Sequence, residues 1–346
     1  MTTDVRELAL IASLTRGFTR SPRQLNRLQE SDAELLRLDD GLTLALTTDT
    51  IAEEIASGLY ADPWLAGWML VMANFSDIAA VGAEPLDILI AETFPDGMDP
   101  EAIAGLQKGI QDACVACGSW VLGGDTNAGD RLLLTGTAVG TVRGAPALTR
   151  VGIFPGDSIY CTGPVGGGNA FAAARLAGEF RQPSYRPTAR LREGQVLRGR
   201  ASACMDTSDG LLTTLDQLGR LNDVGFELHV TGNALLGEET LAAAKALDVP
   251  AWLFLAGPHG EFELVFALSP SDAPPHRAPV RVAGRECRCI GTATEGSSIL
   301  IPGVGSFGPD HRAAIRDLDP PDRRTMRAYI EALCRIGAST QDSTAS

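Results

Sequence analysis

At 346 residues the chain is long enough for two domains of ordinary size, and 45% hydrophobic composition supplies each with a core, which excludes disorder as the main state. With 29 basic against 43 acidic side chains the net charge is −14, so neither nucleic acid nor an anionic membrane is an expected partner. The opening Met1-Thr2-Thr3-Asp4 lacks a charged-then-apolar leader, and the longest apolar stretch, 64–73, is too short to span about 30 Å of hydrocarbon, so a soluble, cytoplasmic protein is expected.

Along the chain, a charged helix-like start (4–17) leads to an alternating strand at Gly41–Thr48, which ends on Thr48-Asp49-Thr50. Asp62-Pro63 reads as a helix cap followed by proline in the first turn. Trp64, Trp68, Val71, Phe75 and Ile78 then recur every three or four residues as one buried stripe. Asn74 and Asp77 fall at its edge, facing a cleft or solvent, and Gly82 stops the helix. Leu86–Phe94 reads as a strand, Pro100–Cys117 as a helix closed by Gly118, and a short strand runs into Gly123-Gly124-Asp125-Thr126. Arg131–Val142 is a further strand, and Arg143–Pro146 a turn or linker.

A domain boundary is expected near residue 150. Beyond it come a strand at Asp157–Thr162, a glycine-rich turn, a helix over 168–179 and a strand-turn-helix over 204–221. The proline-rich stretch 269–279 reads as a loop. Pro320-Pro321 is expected to begin a final helix that ends in a mobile Ser/Thr tail. Seven cysteines at irregular spacing favour reduced, structural thiols over a disulfide framework. Four histidines, at 229, 259, 276 and 311, give no zinc-type spacing.

Asp32, Asp49, Asp77, Asp125, Asp206 and Asp209 sit at strand ends, helix starts or helix edges. One such aspartate is more often a cap or an Asx-turn. Together the six, five of them in Thr-Asp-Thr, Asn-Phe-Ser-Asp, Gly-Gly-Asp-Thr and Asp-x-Ser-Asp-Gly, point to magnesium held against a substrate phosphate. A Walker loop is excluded: there is no Gly-Lys-Ser/Thr, and the only lysines are Lys108 and Lys245. The run 163–169 before a helix reads either as an anion cradle of backbone N–H groups or as a mobile turn. Arg150, Arg186 and Arg190 are candidate phosphate forks, with surface ion pairs as the alternative.

In order, Asn74-Phe75-Ser76-Asp77-Ile78-Ala79-Ala80-Val81-Gly82-Ala83-Glu84-Pro85, Gly123-Gly124-Asp125-Thr126, Ala147-Leu148-Thr149-Arg150 with Pro155-Gly156-Asp157, and Asp206-Thr207-Ser208-Asp209-Gly210-Leu211 resemble the thiamine-monophosphate kinase family. That family is related to aminoimidazole ribonucleotide synthetase, selenophosphate synthetase and a hydrogenase-maturation protein. The resemblance covers roughly residues 28 to 311. It implies a two-domain α/β (mixed α+β) fold, with an N-terminal domain (1–150) that binds ATP and Mg2+ and dimerises through its sheet. A C-terminal α/β domain (151–315) and a terminal helix and tail (316–346) follow. Residue by residue, it matches Asp32, Thr47, Thr48, Asp49, Asp77, Asp125, Asp206 and Asp209 to metal ligands. Gly124, Asp125, Arg150 and Ser208 match nucleotide contacts.

The acceptor side departs from the family pattern. Glu30-Ser31-Asp32 replaces Gly-Asp-Asp, the substrate-contacting histidine falls at Ala56, and the Gly-Gly-Glu-Asp-Tyr-Glu-Leu segment becomes Pro258-His259-Gly260-Glu261-Phe262-Glu263-Leu264. The packing aromatic falls at Pro309, with Phe307 nearby. Acceptor discrimination rests on a few hydrogen bonds and one stacking surface, so these changes predict another small phosphorylated or heterocyclic cofactor precursor in place of thiamine monophosphate. The expected reaction is in-line transfer of the ATP γ-phosphoryl by positioning and electrostatics, with no general base assigned. The alternatives are an ATP-dependent synthetase or cyclo-ligase on the same fold, and a nucleotide-binding homodimer that has lost catalysis.

Overall fold

The computed structural model describes residues 5–38, 41–178 and 185–342. The first half runs α1 (Arg6–Thr15), β1 (Glu34–Arg37), β2 (Thr43–Thr50), α2 (Ala52–Ser57), α3 (Pro63–Ala80), β3 (Glu84–Pro95), α4 (Pro100–Cys117), β4 (Trp120–Gly129) and β5 (Leu133–Val142). Its strands form one sheet in the order β1-β2-β5-β3-β4, antiparallel except for the β3–β4 pair.

The second half opens with β6 (Ser158–Cys161), α5 (Gly167–Ala177), α6 (Leu191–Leu197), β7 (Ala203–Asp206), α7 (Leu211–Asn222) and β8 (Gly225–Leu228). It continues through α8 (Gly232–Leu235), α9 (Glu238–Leu247), α10 (Leu253–Ala256), β9 (Leu264–Leu268), β10 (Val280–Val282) and β11 (Arg285–Thr294). It closes with β12 (Ile299–Ile301), β13 (Gly305–Phe307), α11 (Pro309–Arg316) and α12 (Met326–Asp342). The second sheet is ordered β13-β12-β8-β11-β6-β9-β7, with β10 beside β11.

Local chemistry sets the boundaries that matter for the site. Asp62 caps α3 by accepting from the Trp64 N–H at 3.1 Å, and Gly82 leaves the helix at φ +68°. α3 is buried on nearly every side rather than along one stripe, because it lies between the first sheet, α4, α6 and β7. Asn74 is therefore fully buried and turned neither to cleft nor to solvent: its amide donates to the Leu70 carbonyl and accepts from the Asp49 N–H. One apolar core runs from α3 into the second sheet.

Two expectations are corrected here. Gly123–Thr126 lies inside β4, an edge strand in which all but the last residue is exposed, and not in a loop beyond a strand. Pro320-Pro321 lies in a connecting segment, and the final helix starts at Met326; the tail 343–346 is outside the described residues. No helix among the described residues is long and apolar enough to cross a membrane.

Candidate active site

The period-two geometry of β2 puts Thr47 and Asp49 on the face covered by α3 and Thr48 on the other. The Thr47 hydroxyl donates to Asp77 Oδ2 at 2.5 Å, while Thr48 Oγ1 bonds Thr137 Oγ1 at 2.9 Å on the open face. Asp206 ends β7 and accepts from Ser76 of α3 and from Ser208 Oγ at 2.8 Å, so the two halves are hydrogen-bonded at this point. Asp32, Asp77 and Asp206 each bring a carboxylate oxygen within 4.8 Å of the others, and the Asp49 side chain hydrogen-bonds Asp77.

Four carboxyl groups thus meet one permanent cation. Arg150 pairs with Asp32 Oδ1 at 3.0 Å, its Nη1 donates to the Gln29 carbonyl at 3.4 Å, and it is no surface pair. Asp32 Oδ2 is buried and has no partner. Burial, then the neighbouring Asp49, Asp206 and Asp32, raise Asp77 well above the usual carboxylate range. Burial, then Asp32, pushes Asp206 up to about 7, and burial also raises Asp49. Carboxyls that resist ionisation together mark a site short of positive charge, which is how a divalent-cation site looks before the cation binds.

The cleft above this cluster holds about 470 Å³ and is bordered by Asp49, Asp77, Arg150, Ser208 and Asp209. A second cavity of about 880 Å³ adjoins it, sharing Glu7, Glu54, Asp209, Pro258 and His259. Arg316 and Tyr329, which sequence reasoning missed, line the second cavity, and Ala56 is there as well. Phe307 is fully buried against Trp252, and Pro309 borders neither cavity, so Tyr329 is the aromatic ring on the second cavity's wall. Gly260 borders the first cleft, where a Cβ would run into the Thr207 carbonyl; the loss of a side chain there is a packing requirement. His259 borders both cavities, and burial pulls its imidazole down to about 4, so it is neutral at pH 7.

Several predicted residues are not brought into the cluster. Gly124 lies in register with Asp49 through Gly136 and Ile90, three strands away, or about 14 Å at ordinary strand spacing. Asp125 beside it bonds Asn127 on the exposed edge. The glycine-rich turn is not an open anion cradle: the Gly167 N–H already donates to Glu261 Oε2 at 3.0 Å, and Gly168 packs on the backbone of His259 and Gly260. Arg186 stacks over Trp64 and Trp68, and Arg190 is held in a largely buried pair with Glu263, so neither is a free phosphate fork. The remaining signal for the missed residues was slight, a helical i,i+4 spacing of Arg312 and Arg316.

The acidic cleft lies where the first sheet, α3 and β7 of the second sheet meet, and residues 30–142 match the AIR synthase related protein, N-terminal domain. The thiamine-monophosphate kinase of Methanospirillum hungatei is 34% identical over 275 residues, covering 79% of this chain and 89% of that protein. That of Methanopyrus kandleri is 31% identical over 289 residues, 81% and 88% of the two chains. The chain belongs to the thiamine-monophosphate kinase family, a family of ATP-dependent kinases. A ThiL solved with AMPPCP and TMP superposes with TM-score 0.71 at 21% identity, over 88% of this chain and 96% of that one. A hydrogenase maturation protein, HypE, solved with HypF shares the fold at TM-score 0.67 and 17% identity, over 90% and 99% of the chains.

Proposed function

We propose that this chain transfers the γ-phosphoryl of magnesium-bound ATP to a small phosphorylated heterocyclic acceptor, and that thiamine monophosphate, the acceptor in its relatives' names, is the first to try. The observation that carries the reading is the convergence of Asp32, Asp49, Asp77 and Asp206, with a buried, unpartnered Asp32 oxygen and one balancing arginine. All-oxygen, hard, anionic donors fit magnesium, and Asp32, Asp49, Asp77 and Asp206 would hold it. When bound, magnesium supplies positive charge against the phosphate oxygens as charge builds in transfer.

The protein's own groups do the positioning. Thr47 fixes the Asp77 carboxylate, Ser76 and Ser208 fix that of Asp206, and Arg150 offers a planar cation at the nucleotide side of the cleft. An ionised acceptor phosphate is its own nucleophile, so no general base is assigned. Residues 1–150 form the nucleotide-binding and dimerising domain in this reading, 151–315 the second domain, and 316–346 an addition to it. In this reading two copies pair over the exposed strand β4 to form a homodimer, and Asp125, which lies away from the carboxylate cluster of its own chain, serves the cleft of the other copy. Seven free thiols favour the reducing cytoplasm.

The test is ADP formation with magnesium and thiamine monophosphate, beside a panel of phosphorylated heterocycles. Asp77→Asn should lower turnover by about 100-fold or more and abolish magnesium-dependent nucleotide binding. A variant that binds and turns over like the parent would show the metal assignment to be wrong. ADP with free phosphate and a dehydrated product would favour a synthetase instead.

A further inference from the structure

Arg316 stands at the end of α11, its side chain only 5% exposed, on the wall of the second cavity. It is held from behind: Asp216, itself 1% exposed, accepts from Arg220, Arg312 and Arg316, at 2.9, 2.6 and 3.3 Å. Three guanidinium groups on one buried carboxylate fix Arg316 in place and leave its other edge able to take a second anion. In this structure that edge donates to Glu7 Oε2 at 3.0 Å.

Glu7 is a poor permanent partner. Its side chain is 61% exposed, and it rides on α1, a helix with no buried residue, whose Leu10 and Leu14 face solvent. The other polar tether of α1 to this region is also at the surface, Arg6 with Asp317. The Arg316 end of the pair with Glu7 is buried but its Glu7 end is in solvent, and a pair exposed on one side opens more readily than one buried on both. Glu7 also borders the nucleotide cleft, so its carboxylate lies at the junction of the two cavities. Asp209 stands at the same junction.

We propose that Arg316 anchors the phosphate of the acceptor, and that the Glu7 carboxylate of α1 fills this anchor until the acceptor displaces it. The inference rests on the kinase reading for the acceptor's identity. The wall's other cation, Arg6, is 75% exposed and paired with Asp317, and Glu53, Glu54, Asp319 and Asp322 repel anions, so Arg316 is the buried cation on which an anionic group can settle and the remainder of the acceptor is neutral or cationic. Arg316 thereby selects phosphorylated over unphosphorylated heterocycles, and α1 acts as an internal competitor.

Inorganic phosphate is the probe, followed by calorimetry on the full chain without nucleotide or magnesium. Glu7→Gln, on an exposed helix, should tighten phosphate binding by about tenfold, and Arg316→Met should weaken it by at least about tenfold. Magnesium–AMPPCP affinity should stay within about twofold of the parent in Arg316→Met, because Arg316 borders only the second cavity. In turnover, Glu7→Gln should lower the KM for thiamine monophosphate and not that for ATP. Should Arg316→Met fail to fold, Glu7→Gln alone decides. Phosphate binding indifferent to Glu7→Gln overturns the proposal even if ADP is formed. ADP formation with no acceptor, while phosphate binding responds to both variants, overturns the kinase reading and leaves the anchor in place.

Discussion

Glu261 has its carboxylate where the glycine-rich turn would otherwise offer amides to a ligand: Oε2 accepts from Gly167 and Oε1 from Thr207 Oγ1. Burial pushes its pKa from 4.5 to about 8. The folded chain then binds this proton more tightly than the unfolded chain. The associated stability is complete below about 4.5 and is lost as pH rises through about 8, an effect on the order of a few kcal/mol. Glu261→Gln, which cannot titrate, should show a smaller drop in melting temperature between pH 5 and pH 9 than the parent. Equal drops would mean that Glu261 is not the group responsible. The aspartates were legible because each sits in a short motif; the partners that define their roles were not. Arg150 meets Asp32 across 118 residues and Gly167 meets Glu261 across 94, and no local pattern reports such a contact.

At the level of elements, sequence reading was strongest where caps act. Asp62-Pro63 opens α3, Pro100 begins α4 and Gly118 closes it in the left-handed region, as the sequence predicts, and Asp99 caps α4 as well. The five-residue stripe of α3 captured only part of its burial, since periodicity records one partner surface and this helix has four. The contact between the two helices depends on absent side chains: a Cβ on Gly109 would strike the Trp64 carbonyl, and one on Gly67 the Leu106 carbonyl. In an exposed helix Gly→Ala stabilises by about 1 kcal/mol, but here the methyl must push α3 and α4 apart, which costs about 1–3 kcal/mol net. Gly109→Ala should therefore melt at a lower temperature than the parent. A rise would mean that the helices are not packed this closely.

For the molecule as a whole, the first sheet leaves Trp120, Val121 and Leu122 exposed on β4 and Leu89 exposed beside it. An exposed apolar strand of this kind is covered by another surface or aggregates. Leu122→Glu with Trp120→Lys should convert a dimer to a monomer in sedimentation experiments; a parent already monomeric would refute the pairing.

The roughly 14 Å between Gly124 and Asp49 within one chain has a genetic consequence. If each catalytic centre is completed by Asp125 from its neighbour, Asp77→Asn and Asp125→Asn chains are each dead alone, yet they complement when co-expressed. Random assortment makes half of the assemblies hybrids, each with one intact centre, so about a quarter of wild-type turnover should return. Two alleles inactive separately would then sustain growth together.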